Sequence, residues 1–177
     1  MNTYIMTFEN APQERKDNAE ALANQLNGEV YTGGNNLWDN FTEICKLSPE
    51  GLLLAEDDIK VSSKFKPTEG NEIIHYYYNI PNGYDALYKV SGNKYVCNQL
   101  VYYPSWFTYL VANNYESITS NYSKLYRSND SDSIIALLLF NLRRDFYATG
   151  KTYAQTLNFN STLGHHILKQ NTNYIGD

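Results

Sequence analysis

Three consecutive carboxylates, Glu56-Asp57-Asp58, follow directly on an unbroken apolar run, Leu52-Leu53-Leu54-Ala55. Like charges held that close raise one another's pKa and repel. A divalent cation relieves the repulsion, and Mg²⁺ or Mn²⁺ prefers carboxylate oxygens shared with waters and substrate phosphates. Such a metal on a nucleotide diphosphate screens the charge that builds on the leaving group when a glycosidic bond breaks. In an extended segment, residues 56 and 58 face one side and residue 57 the other. One carboxylate can then meet a metal while another meets sugar hydroxyls. The plain alternative is a solvated acidic loop. Further along, Ser128-Asn129-Asp130-Ser131-Asp132 is rich in helix-capping residues, and on composition alone Asp132 reads as an N-cap, with Asp130 close by. His165-His166 stand near the chain end, and His75 lies in a Tyr-rich stretch and reads as structural.

The elements that must position these groups alternate. Tyr4 to Phe8 reads as a strand. Ala19, Leu22, Ala23 and Leu26 follow helical spacing, with Pro12 suited to the first turn and Gly28 to the stop. Glu29 to Tyr31 is a short strand before the turn Thr32-Gly33-Gly34-Asn35. Leu37, Phe41, Ile44 and Cys45 form the apolar face of a second helix, capped by Asn35 or Asn36. Leu52 to Ala55 is then a central strand covered on both faces. Strand-helix-strand-helix-strand predicts a mainly parallel sheet with right-handed crossovers, whose ligands bind at the carboxyl ends of the strands. Beyond it, Glu72 to Tyr78 is β-rich, and Leu87–Val90 and Lys94–Tyr103 read as a hairpin joined by Ser91-Gly92-Asn93. Pro104 opens an aromatic helix. Ile134 to Leu139 begins another, whose segment ends at Tyr147 to Gly150, and Tyr153 to Phe159 reads as a last strand. The polar tail from about residue 168 reads as loosely held.

Composition narrows the classes. The 177 residues suit one domain spanning the chain, and 17 Tyr with 15% aromatics argue against disorder. A net charge of −5 argues against a broad phosphate-binding surface, and the tight basic pair Arg143-Arg144 is read as a solvated helix face. Cys45 and Cys97 show no metal or disulfide spacing and read as buried thiols, Cys97 inside a strand-like run. The N-terminus lacks a secretory pattern and no apolar run reaches the length of a membrane span, so a cytoplasmic location is expected. Oligomeric state is not legible.

Leu52-Leu53-Leu54-Ala55-Glu56-Asp57-Asp58-Ile59 resembles the acidic signature of the lipooligosaccharide-type glycosyltransferases (family 25), a relative of the DxD motif of GT-A enzymes. Met6-Thr7-Phe8 with Arg15 resembles that family's first strand and following Arg. Asn98 to Tyr103 resembles its strand before an aromatic helix. Asp132 with Ile135 resembles its Asp-led helix start, and Tyr147, Gln155 and Ser161 resemble its closing segment. The likeness is loose but spans most of the chain. The Gly-Cys-x-x-Ser-His element usual before the acidic motif is shortened here to Thr32-Gly33-Gly34-Asn35-Asn36. The resemblance implies a GT-A-like, Rossmann-like α/β fold with a small antiparallel hairpin region. It also implies a hexosyltransferase that moves a sugar from a nucleotide-sugar, UDP-linked by preference, with Mn²⁺ or Mg²⁺. Asp58 and a C-terminal His, His165 or His166, become metal ligands. Glu56, Asp57, Thr7, Arg15, Thr32 and Gly33 fall to the donor and Gln99 to the acceptor. Asp132 becomes the general base of an inverting reaction. The acceptor hydroxyl could belong to a glycan, a lipid-linked sugar, a protein or a modified DNA base. A non-catalytic nucleotide-sugar or carbohydrate-binding module on the same fold is the alternative.

Overall fold

A computed structural model describes residues 1–78, 80, 84–126, 130–157 and 174–176. Seven strands form the main sheet in the order β2-β1-β3-β7-β5-β8-β6: β1 (Asn2–Phe8), β2 (Glu29–Gly33), β3 (Gly51–Glu56), β5 (Ile74–His75), β6 (Leu87–Ser91), β7 (Leu100–Pro104) and β8 (Asp145–Thr149). β4 (Ile59–Val61) and β9 (Ala154–Thr156) make a separate antiparallel pair. Four helices complete the set: α1 (Gln13–Leu26), α2 (Leu37–Leu47), α3 (Ser105–Tyr126) and α4 (Ser131–Asn141). Strands β2, β3, β5 and β8 run with β1, whereas β7 and β6 run against it. The sheet is therefore mostly parallel in direction, as the alternating elements predict, with antiparallel β7 inserted between β3 and β5. Among the described residues no helix is long and apolar enough to cross a membrane.

β3 is the centre of the molecule. Leu52 to Ala55 are each 0% exposed, because the strand is flanked on both edges and covered on both faces. Leu52 and Leu54 point into a core shared with Trp38, Phe41 and Ile44 of α2, Phe107 of α3 and Ile135 and Leu139 of α4. Leu53 and Ala55 point into the opposite core, with Ala19, Leu22 and Ala23 of α1. The period-2 alternation of the strand thus divides one apolar run between two helical layers. Asn36 caps α2, its side chain accepting from the amides of Trp38 and Asp39. α1 ends where Asn27, rather than Gly28, takes the left-handed conformation, with φ of 51°.

Several expectations from the sequence are corrected. Ser91-Gly92-Asn93 does not join a hairpin: Gly92–Lys94 is a 3-10 turn, and β6 pairs with β8 instead of β7. A Cβ at Gly92 would lie 2.3 Å from the Arg144 carbonyl, so the glycine serves close packing under the turn after α4. That turn places Arg143 at φ 52° and starts strand β8, which helical periodicity did not disclose. Arg144 leaves the helix surface and stacks over the Trp106 ring at 5.3 Å. Cys97 lies in a turn before β7, also left-handed, with φ of 55°. The end of the chain is held where it is described. Tyr174 bridges Thr152, the Ile175 amide donates to the Thr152 carbonyl at 2.9 Å, and Lys60 sits over the Tyr174 ring. The expected last strand is described only as Ala154–Thr156.

Candidate active site at the carboxyl edge of the sheet

The acidic triplet forms the turn between β3 and β4 and divides as strand alternation predicts. Asp57 points inward and is 0% exposed. It accepts from the Thr7 hydroxyl at 2.5 Å and from Arg15 Nε at 2.9 Å, and the Arg15 Nη2 closes the ion pair. Asn18 ties the same turn by donating to the carbonyls of both Asp57 and Ile59, each at 2.8 Å. Thr7 and Arg15 are buried as well. These three residues, expected at the donor, fasten the turn to β1 and α1. The physical reason is the charge on Arg15: a guanidinium buried in the α1–sheet interface needs a carboxylate, and Asp57 is the one that faces it.

Glu56 and Asp58 occupy the other side and are half-buried. Burial, followed by the charges of Asp58, Asp132 and Asp57, holds the Glu56 carboxyl well above its usual range against the pull of Arg15. Burial also raises Asp58, opposed by Arg15, whose Nη2 lies 3.9 Å from Asp58 Oδ2. Asp58 Oδ1 and Gln99 Oε1 are buried without a hydrogen-bond partner. Gln99 is beside the triplet, its carbonyl accepting from the Glu56 amide at 3.1 Å. An orphaned buried carboxylate oxygen beside a second carboxylate is a donor set suited to Mg²⁺ or Mn²⁺. Among the described residues no group of three or more His, Cys, Asp and Glu could hold a metal ion unaided, so the remaining ligands would come from substrate phosphates and water. His165 and His166 lie outside the described residues.

Asp132 reaches the same region from α4. Capping falls to Asp130, whose side chain accepts from the Asp132 amide at 3.2 Å and the Ser133 hydroxyl at 2.8 Å. Asp132 is thereby released from the role its composition suggested. Burial and then the charge of Asp130 push its pKa up to about 7, opposed by the nearby Cys97 backbone. It lines a cleft of ≈ 490 Å³ together with Asp130, Tyr95, Val96, Leu137 and Phe140. Phe140 and Val96 are exposed, so the cleft carries apolar surface as well as two carboxylates.

The other expected donor residues are placed differently. Thr32 is exposed near the end of β2. Gly33 is buried, and a Cβ there would fall 2.3 Å from the Asn40 side chain, so this glycine admits Asn40 rather than opening toward a ligand. His75 is fully buried and structural as expected, its pKa lowered by burial to about 4. The turn that joins the two carboxylate groups was not anticipated. Tyr95 and Tyr103 both donate to Asn98 Oδ1, at 2.6 and 2.5 Å, and Asn98 Nδ2 donates to Ser131 Oγ at 2.7 Å. This buried chain locks residues 95–98 to the first residue of α4. Its one sequence signal is a pair of amides, Asn98-Gln99, set into an otherwise apolar and aromatic stretch. No family model matches the chain, and no curated protein matches it either.

Proposed function

We propose that the chain is a metal-dependent glycosyltransferase that moves a hexose from a nucleotide-sugar, UDP-linked by preference, to an uncharged hydroxyl acceptor. The observation that carries this reading is the convergence of two carboxylate groups from separate elements. Glu56 and Asp58 come from the end of the central strand and Asp132 from the start of α4, close enough that Asp132 raises Glu56. The mostly parallel sheet, with the acidic turn at its carboxyl edge, agrees with a GT-A-like fold.

In this reading Glu56 and Asp58 hold the diphosphate end of the donor through Mn²⁺ or Mg²⁺. The metal supplies neutralisation of the charge on the departing nucleoside diphosphate. The acceptor enters the cleft, its ring face against Phe140 and Val96 and its hydroxyl toward Asp132. Asp132 takes the hydroxyl proton as the oxygen bonds to the anomeric carbon and the bond to the diphosphate breaks. The protonated carboxyl then returns its proton to water. Attack opposite the leaving group inverts the anomeric centre. Among the described residues the cleft lining includes two aspartates and neither Lys nor Arg, which favours a neutral glycan or hydroxylated side chain over a phosphate-bearing acceptor.

Asp58→Asn tests the metal side. Calorimetric titration of UDP with Mn²⁺ into wild type gives binding accompanied by proton release, because burial raises the carboxyls of Glu56 and Asp58 and both must be ionised to ligate. The affinity therefore rises with pH. The Asn variant loses about 100-fold or more. Equal affinity in wild type and variant would remove Asp58 from the site.

A further inference from the structure

Gln99 lies beside the acidic turn, and the proposed reaction gives it no part. β3 and β7 pair antiparallel with Ala55 opposite Leu100. The Glu56 amide donates to the Gln99 carbonyl at 3.1 Å, so the ladder continues one step and sets Glu56 opposite Gln99. Directly opposed residues of an antiparallel pair put their side chains on the same face, with Cβ atoms about 4.5–5.5 Å apart. The neighbours fix which face. Leu54 and Val101, one alternation along each strand, both pack into the core that α4 covers. Glu56 and Gln99 therefore share the α4 face at the carboxyl end of β3.

Gln99 Oε1 is buried without a hydrogen-bond partner, and so is Asp58 Oδ1 in the turn just beyond Glu56. A carboxylate oxygen and an amide oxygen are both acceptors, so neither satisfies the other. Among the described residues the other unpaired buried side-chain atoms are threonine hydroxyls, whose proton can rotate to a weaker partner; an acceptor-only oxygen has no such freedom. What both oxygens lack is an electropositive partner. Two carboxylates and a neutral amide oxygen are a set of hard ligands, which divalent cations take, side-chain amide carbonyls included. The amide also adds a ligand without adding charge. Two carboxylates balance a dication, and a neutral third oxygen leaves an incoming diphosphate unrepelled.

We propose that Gln99 Oε1 is a ligand of the divalent cation, beside the carboxylates of Glu56 and Asp58. The assignment rests on the reading of those two carboxylates as metal ligands. It moves Gln99 from the acceptor, where the resemblance puts it, to the metal. The protein then supplies three oxygens, and substrate phosphates and water supply the rest. The cation is gripped from both sides of one ladder, by the end of β3 and by the residue that leads into β7.

The experiment uses the full chain with Mn²⁺ as the probe, alone and then with UDP. Binding is read from the loss of the free-ion electron paramagnetic resonance signal, and the melting temperature is measured with and without the ion. Gln99→Met keeps the length of the side chain and replaces the hard oxygen by a soft thioether. It should weaken Mn²⁺ binding by about tenfold or more, and Mn²⁺ should raise its melting temperature less than that of wild type. Without metal the variant should melt no lower than wild type, because the deleted oxygen has no partner to lose. Gln99→Glu, which keeps an oxygen at the same reach, should bind Mn²⁺ at least as tightly as wild type. Wild-type Mn²⁺ affinity in Gln99→Met, with binding still lost in Asp58→Asn, would overturn the assignment and give the gap to an ordered water. A lower metal-free melting temperature in Gln99→Met, failure of that variant to fold, or weaker binding by Gln99→Glu would also overturn it, making Gln99 a structural group. Weakened binding in Gln99→Met from a chain that transfers no sugar would uphold Gln99 and remove the transferase. No binding of Mn²⁺ by wild type, with or without UDP, would overturn both.

Discussion

Asp57→Ala lowers the melting temperature by about 6–20 °C, the largest stability effect expected of any single carboxylate in this chain. The change removes the acceptor of the Thr7 hydroxyl and the counter-ion of Arg15, both of which stay buried. Breaking a buried pair from one side costs about 3–5 kcal/mol, because the surviving charge is left desolvated and unpaired. In a chain of this size each kcal/mol moves the midpoint by about 2–4 °C. The neighbouring Asp58→Asn has the opposite sign: the Asp58 carboxyl is raised by burial, so removing its charge relieves a penalty and leaves the fold as stable or more so. Differential scanning calorimetry of the two variants side by side separates the anchor from the candidate ligand. A mild effect of Asp57→Ala, comparable to that of Asp58→Asn, would contradict the buried role of Asp57. Replacing Asp57 and Arg15 together by apolar residues should recover most of the loss, since the cost lies in the unpaired partner.

Asp132→Asn lowers transfer by about 100- to 10,000-fold, the usual worth of a general base, with donor affinity nearly unchanged. The pH dependence follows from its pKa of about 7. The base must be ionised, so wild-type transfer rises with pH through about 7 and then levels, and the variant loses this limb. Stability moves the other way. The folded pKa lies above the unfolded value of about 3.9, so between these values the folded state binds more protons and stability falls as pH rises. That loss is complete above pH 7. Asp132→Asn removes it, stabilising by about 2–4 kcal/mol at pH 8 and by little at pH 4. Asp130→Asn keeps the cap, since Asn caps as well as Asp, but removes a neighbouring charge and shifts the midpoint of the pH profile downward. Retention of anomeric configuration in the first-formed product, read by NMR, would take the base role from Asp132.

The local elements were legible where the chain states them locally. Leu52 to Ala55 read as an inner strand, being continuously apolar, short and bounded by Ser48-Pro49-Glu50-Gly51 and the acidic turn, and the structure bears this out. The Asn36 cap followed from its place before an apolar helical face. Alternation along 56–58 foretold that the triplet would divide, but not which side faced inward. That depends on Arg15, forty-two residues away in sequence, arriving at the turn from α1. For the same reason the contacts that Thr7, Arg15 and Asp57 make with one another were not legible. The hairpin expected at Ser91-Gly92-Asn93 failed because its turn chemistry is real but its strand partner is not the next one: β6 pairs with β8, a pairing no local pattern carries. Asp132 read as a cap on composition alone, and the structure gives the cap to Asp130. The 95–98 turn was missed because its order resides in a left-handed Cys97 and a buried amide, both fixed by tertiary partners.

The central claim is that Glu56 and Asp58 bind a metal–diphosphate while Asp132 activates a hydroxyl. Release of UDP from a panel of UDP-hexoses, with water or simple neutral glycosides as acceptor, tests it most directly. The account predicts Mn²⁺-dependent release by wild type, abolished by chelation and by Asp58→Asn, and reduced by Asp132→Asn without loss of donor binding. Metal-dependent binding of the donors with no release from any of them would contradict it, and would leave a nucleotide-sugar-binding module in place of a transferase.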